Sequence, residues 1–252
     1  MTTKHRTNLG TILSVWAHPD DETYLSAGIM ASARDQGLRV VCTSATAGEH
    51  GTSDPQAWPP SRLGQVRSWE ATAAMSVLGV EEHHIYGLPD GALADHEQAG
   101  LTWAGRLLDV VRPDTVLTFG PDGNTFHPDH IAVHRWVTQA WADRGCGARL
   151  LYAAPSTEHL AEFGELYEKW DMYMSDERPV GVPADQLAVH ARLSGWELDR
   201  KLSALRALST QTSGLITMLG AEVYASQVAE ESFVEALTYV PGATASSASV
   251  GR

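Results

Sequence analysis

The stretch that decides the fold is Thr11-Ile12-Leu13-Ser14-Val15-Trp16-Ala17-His18-Pro19-Asp20-Asp21-Glu22. Its β-branched, apolar first half predicts a buried strand, which stops at a dense polar cluster before a segment of helical composition. Buried parallel strands present side chains at their carboxyl ends, where open α/β sheets place their chemistry. One histidine and three carboxylates within residues 18–22 repel one another unless a positive charge sits among them, and a divalent metal is the simplest such charge.

Working outward, Glu22–Gln36 predicts a helix closed by Gly37, and 38–44 a second strand, which together make a right-handed βαβ unit. The stretch 47–60 is loop. A helix over 62–78 closes at Gly79, with Val66, Trp69, Ala73, Ala74, Val77 and Leu78 at helical spacing. Strands are expected at 84–86, 114–119 and 149–153, and helices at 101–111 and 131–144. This alternation predicts a Rossmann-like, three-layer α/β/α fold with a mostly parallel sheet. Beyond Pro155 the pattern weakens: helices are expected at 158–170 and 195–212, and a late strand at 232–237. Residues 1–241 form a single domain in this reading, and the Ser/Ala/Gly-rich 242–252 a disordered tail.

Length and charge agree with that picture. The 252 residues suit one large α/β domain, and a net charge of −13 argues against nucleic acid or an anionic membrane as partner. No apolar run approaches a bilayer span, and the polar N-terminus lacks the features of a signal peptide. Cys42 and Cys146, without CxxC spacing, are expected to be reduced thiols in a cytoplasmic protein.

A second word, His127-Pro128-Asp129-His130, follows the strand at 114–119 and nearly repeats His18-Pro19-Asp20-Asp21. Either word alone is as readily a helix N-cap as a metal site. Neighbouring parallel strands would bring the two together, offering three histidines and three aspartates. A His/His/carboxylate set with an open fourth position is the arrangement of a catalytic zinc.

These residues resemble the LmbE-like (PIG-L) family of zinc-dependent N-deacetylases. Thr46-Ala47-Gly48-Glu49-His50-Gly51, Arg67-x-x-Glu70, Leu78-Gly79 and Leu88-Pro89-Asp90-Gly91 extend the likeness across about 11–135. The resemblance implies His18, Asp21 and His130 as zinc ligands, Asp20 as the general base, and His127 as the imidazolium or donor facing the oxyanion. It makes Asp129 the partner orienting an imidazole, and Arg67 a substrate contact, with a surface ion pair to Glu70 or Glu49 as its alternative. Glu49 and Asp122 are expected to line the pocket, although Asp122-Gly123 also reads as a turn. His50 reads as a loop residue, His134 as solvated or supporting, His83 and His84 as strand-edge residues, and Glu22 as a helix-start residue favoured by the dipole.

The implied substrate is a small amino-sugar conjugate of GlcNAc type, with a homo-oligomer allowed for; the same ligands also accept Fe²⁺ or Co²⁺. Two departures bear on substrate. Leu208 stands where many members carry a histidine, and Thr125 where some carry a tyrosine. An amidase of thiol-sugar conjugates and a catalytically silent sugar-binding domain are the competing readings.

Overall fold

The computed structural model describes residues 9–145 and 147–236; the expected tail at 242–252 and Cys146 lie outside them. The chain runs β1 (Ile12–Trp16), α1 (Asp21–Asp35), β2 (Val40–Ser44), α2 (Pro60–Leu78), β3 (Glu82–Ile85), a 3-10 turn (Leu93–His96) and α3 (Glu97–Val111). It continues with β4 (Thr115–Phe119), α4 (Pro128–Ala142), β5 (Arg149–Ala153), α5 (Thr157–Lys169) and β6 (Val189–Arg192). Three helices, α6 (Trp196–Ala207), α7 (Ser209–Leu219) and α8 (Ala221–Gln227), lead to β7 (Glu230–Glu235).

The strands form one sheet in the order β3-β2-β1-β4-β5-β7-β6. β3, β2, β1, β4 and β5 are mutually parallel, whereas β7 runs antiparallel to both β5 and β6. The expected mostly parallel α/β architecture is what is found. β1, β2 and β4 are buried along their whole length, which is why their sequences are continuous apolar runs without alternation. Helices α1, α2 and α6 pack against one another, and α3 packs on α4. In the second pair Gly100 of α3 lies under the Trp136 indole, where any β-carbon would fall about 2.1 Å from the ring. Chain order reverses between β1 and β4, so their carboxyl ends flank the crevice typical of doubly wound sheets.

The outward reading fails in three places. On α2 the buried face is Leu63, Arg67, Ala71, Ala74, Met75 and Leu78, while Trp69 is 63% exposed and Val77 also faces outward. Tryptophan dominates an apolar count by size, but the face of α2 that packs inward carries the small Ala71 and Ala74 instead. The expected helix at 195–212 is two helices, broken at the buried Leu208, whose φ of −86° and ψ of 48° end α6 and begin α7. Strand β6 and helix α8 were not expected. Both are short, and β6 (Val189-His190-Ala191-Arg192) mixes apolar and polar residues at the sheet edge.

Candidate active site

The site assembles where β1 and β4 end. The pairing of Ile12 with Thr115 through Ser14 with Leu117 aligns the strands so that both words emerge on one rim. His18 and Asp21 come from the β1–α1 junction. His127 is the N-cap of α4 and His130 stands in its first turn, with Pro128 at the helix start, where a missing N–H costs nothing.

His18 Nδ1 lies 3.2 Å from His130 Nε2 and 3.6 Å from Asp21 Oδ2, and His130 Nε2 lies 3.4 Å from Asp21 Oδ1. The ligand atoms of these three residues all lie within 4.8 Å of one another, a spacing that fits a shared divalent cation. The chemistry behind them fits as well. His130 Nδ1 is 2.9 Å from the Gly123 carbonyl, which takes its N–H and leaves Nε2 as the lone-pair side. The far nitrogen of His18 faces two carboxylates, Asp90 at 3.0 Å and Asp129 at 3.3 Å. That carboxylate–histidine arrangement orients the ring and makes its other nitrogen a better donor. His18, His127 and Asp129 form a second group within ligand distance. Asp129 already accepts from the amides of Gly91 and Leu93, at 2.7 and 3.0 Å, so the first group has the freer donor atoms.

Protonation follows from the same crowding. Burial pulls the His18 pKa down, but Asp129, Asp21 and Asp90 outweigh it and hold the imidazole well above 6.5. Asp21, despite its burial, is held far below the usual carboxylate range by His130 and His18. Burial, helped by the charges of His18 and His127 and opposed by Asp21, lowers His130 to about 4. Asp21 and His130 thus offer free lone pairs, while His18 would ligate a cation by giving up its proton.

Two groups flank this set without belonging to it. Asp20 has φ of 145°, a conformation uncommon for any residue with a side chain, and such strain collects at functional sites. Burial raises its carboxyl to about 6, against the Arg67 guanidinium 3.3 Å away, which lowers it. His127 accepts the Asp129 amide on Nδ1 at 3.1 Å, so its proton sits on Nε2, and burial followed by the His18 charge lowers its pKa.

Around them the expected residues take unequal places. Arg67, 3% exposed, donates to the carbonyls of Gly48 and Pro19 at 2.7 and 2.8 Å. It clamps the β1–α1 turn to the β2–α2 loop, and its ion-pair partner is Asp20; neither Glu70 nor Glu49 takes that place. Gly48, with φ of 63°, must lack a side chain because a β-carbon would fall on that guanidinium. Glu70 instead binds the start of α7, through the hydroxyls of Ser209 and Thr210 and the Thr210 amide. Glu49 accepts the Asp90 amide, and Asp122 folds its own turn by accepting the Asn124 amide. Glu22 stands in the first turn of α1 as expected and accepts the Asp20 amide, but it is fully buried, and desolvation raises its carboxyl to about 8. His134 is buried on the Phe119 carbonyl, His50 is exposed, and His83 and His84 sit on edge strand β3.

A cavity of about 320 Å³ opens from Asp20, Asp21 and His130 toward α5, α7 and α8. Its walls include Tyr24, Tyr167, Trp170, Tyr173, Leu215 and Leu219. Sequence reasoning missed this wall, since single aromatics in unrelated helices carry no pattern. It also passed over Asp90, whose Leu88-Pro89-Asp90-Gly91 motif was a usable signal.

A family model, PIG-L: GlcNAc-PI de-N-acetylase, matches residues 13–141. The chain belongs to the PIG-L family. It is 32% identical over 233 residues to a 1D-myo-inositol 2-acetamido-2-deoxy-alpha-D-glucopyranoside deacetylase of Saccharomonospora viridis, covering 79% of this chain and 84% of that one. Among solved structures it resembles an A40926 pseudoaglycone deacetylase (TM-score 0.65, 20% identity, 86% of this chain and 88% of that one). It also resembles N,N'-diacetylchitobiose deacetylase of Pyrococcus horikoshii (TM-score 0.61, 17% identity, 92% and 86%). At such identities the structural likeness speaks to the fold, and the family match and the relative carry the reaction class, amide hydrolysis. No helix among the described residues is long and apolar enough to cross a membrane.

Proposed function

We propose that the chain is a zinc-dependent N-deacetylase that removes an N-acetyl or other N-acyl group from a GlcNAc-type amino-sugar conjugate. The observation that carries this reading is the pairing of a three-residue donor set with two flanking titratable groups, Asp20 and His127. His18, Asp21 and His130 would hold the ion, which supplies Lewis acidity and a water acidic enough to attack at neutral pH.

The rest of the chemistry belongs to the chain. Asp20, at about 6, is matched to neutral pH as the base that takes the attacking water's proton. His127 presents Nε2–H as a neutral donor to the oxygen that gains charge in the tetrahedral step. The proton held by Asp20 then passes to the departing amine. Arg67 tunes and positions Asp20, and Asp90 and Asp129 hold His18 in its ligating tautomer. A silent binding domain has no use for a strained, proton-accepting Asp20 beside a cation site.

Metal analysis of the purified protein combined with amine release from N-acetylglucosaminides tests the reading. One equivalent of zinc with amine release supports it. Metal-loaded protein that releases no amine from any N-acyl amino sugar overturns it. Full activity with iron or cobalt and none with zinc changes the metal alone.

A further inference from the structure

The cavity that opens from the cation site is long on apolar surface and short on free hydrogen-bonding groups. Its wall residues Tyr24, Tyr167, Trp170, Tyr173, Leu215 and Leu219 come from α1, α5, the 170–179 segment and α7. Apart from the Tyr173 hydroxyl and the Trp170 indole N–H, most polar atoms deeper in the cavity already have partners within the protein. Tyr24 and Tyr224 share a hydroxyl–hydroxyl hydrogen bond at 3.0 Å. The Tyr167 hydroxyl is bound by His159 at 2.6 Å and by Gln227 at 2.9 Å. Glu230 is bound by Ser156 and His190, Ser232 donates to the Ala154 carbonyl, and Glu231 is paired with Lys201.

Near the cation site the balance reverses. Asn124 lines the same cavity, and its Oδ1 is buried without a hydrogen-bond partner. Asn124 holds φ of 64°, and Phe126 two residues on holds φ of 60°, so the β4–α4 loop keeps this acceptor in place at some strain. A buried acceptor left unpaired is costly, and a ligand N–H or O–H removes that cost. The cavity therefore has one end that asks for a polar group and a body that does not.

Resting on the amide-hydrolase reading above, we infer that the substrate carries an aryl or alkyl group beyond its amino sugar, and that this group fills the apolar body of the cavity. The sugar and its amide lie at the Asn124 end. A polyol such as the inositol named for the Saccharomonospora relative brings a ring of hydroxyls, more than the Tyr173 hydroxyl and Trp170 indole N–H of this wall can pair. Stripping hydroxyls of water without replacing their hydrogen bonds disfavours such a ligand strongly. The volume, about 320 Å³, is in the range of sites that enclose small organic ligands. The apolar group has two chemical sources, the aglycone or a long acyl chain, and both present the same surface to the wall.

The test uses the metal-loaded full chain and five probes: the methyl, phenyl, octyl and inositol 2-acetamido-2-deoxyglucosides, and the methyl glycoside bearing N-octanoyl. Each buried methylene is worth roughly fourfold in affinity, so burial of even two gives about sixteenfold. The octyl or phenyl glycoside, or the N-octanoyl amide, is expected to exceed the methyl N-acetyl probe in kcat/KM by about tenfold or more. The octyl and phenyl probes locate the group on the aglycone, and the N-octanoyl probe locates it on the acyl chain. Calorimetry with the free amines gives a readout apart from turnover, and Leu219→Asn should shrink the preference. An inositol conjugate that matches or beats every apolar probe, in rate and binding alike, overturns the inference and leaves deacetylation intact. Tighter binding of the octyl amine with no turnover of any amide keeps the apolar pocket and overturns the reading beneath it.

Discussion

The β1–β4 rim and the α5–α8 wall meet at one cavity, yet they are built on opposite principles. The rim is compact in sequence: His18 to Glu22 and His127 to His130 supply the proposed cation donors and both flanking groups. The wall draws a few residues each from α1, α5, the 170–179 segment, α7 and α8, between Tyr24 and Tyr224. Reaction chemistry needs donor atoms within a few tenths of an ångström, and a strand end leading into a helix holds them that well. Recognition of an apolar group needs area, which any suitably placed aromatic or aliphatic side chain provides. Comparing the two suggests that the chemistry is carried by local words and the substrate by the folding of the C-terminal third.

Between them lies a tie that belongs to neither. Lys201 of α6 and Glu231 of β7, both fully buried, are 2.9 Å apart. Glu231 accepts the Gly28 and Ile29 amides of α1, and Lys201 donates to the Tyr24 carbonyl. The pair couples the helix that begins at the cation site to the elements that carry the wall.

The comparison can be broken most directly at Asp20. Asp20→Asn should lower kcat by about 10²–10⁴ while metal content stays unchanged, since general-base loss is of that order. Measured activity within tenfold of the parent would move the proton transfer to another group. Next in size, Lys201→Met leaves Glu231 as a lone buried charge and should cost about 3–5 kcal/mol in denaturant unfolding. An unaltered midpoint would show that the rim and wall are not held together by this pair.

His127→Ala should reduce kcat by about 10²–10³, the scale of removing one oxyanion donor. Because the pKa of His127 lies below 6.5, its working form is neutral, and kcat should hold steady as pH rises from 7 to 9. A fall in kcat through that window in the parent, absent from the variant, would instead indicate an imidazolium. The smallest effect is expected on the wall. Burial pushes Glu230 up, but Ser156 and His190 outweigh it and hold its carboxyl below the ordinary 4.5. Its stabilisation is therefore complete above about pH 4.5 and lost as pH falls through the folded value. Glu230→Gln should cost about 1.5–3 kcal/mol at pH 7, with the gap to the parent closing toward pH 3. A pH-independent gap would assign the loss to packing.

The amino-acid sequence by itself determined the parallel half of the sheet and the two words at its rim. Buried parallel strands are short apolar runs, and a helix start marks where each one ends, so both signals are local. It also exposed the two departures: Leu208 turned out to be the core residue on which α6 breaks, and Thr125 a loop residue whose hydroxyl lies 3.5 Å from His130. Only the tertiary structure decided that Arg67 clamps the β1–α1 turn, that Asp90 stands on His18, and that Glu22 is buried with its proton. It alone brought the aromatics of α1, α5, the 170–179 segment and α8, with the leucines of α7, around one cavity. The reason is physical: strand ends and helix starts are written in adjacent residues, whereas burial, pKa and pocket chemistry arise from residues that meet only when the chain closes on itself.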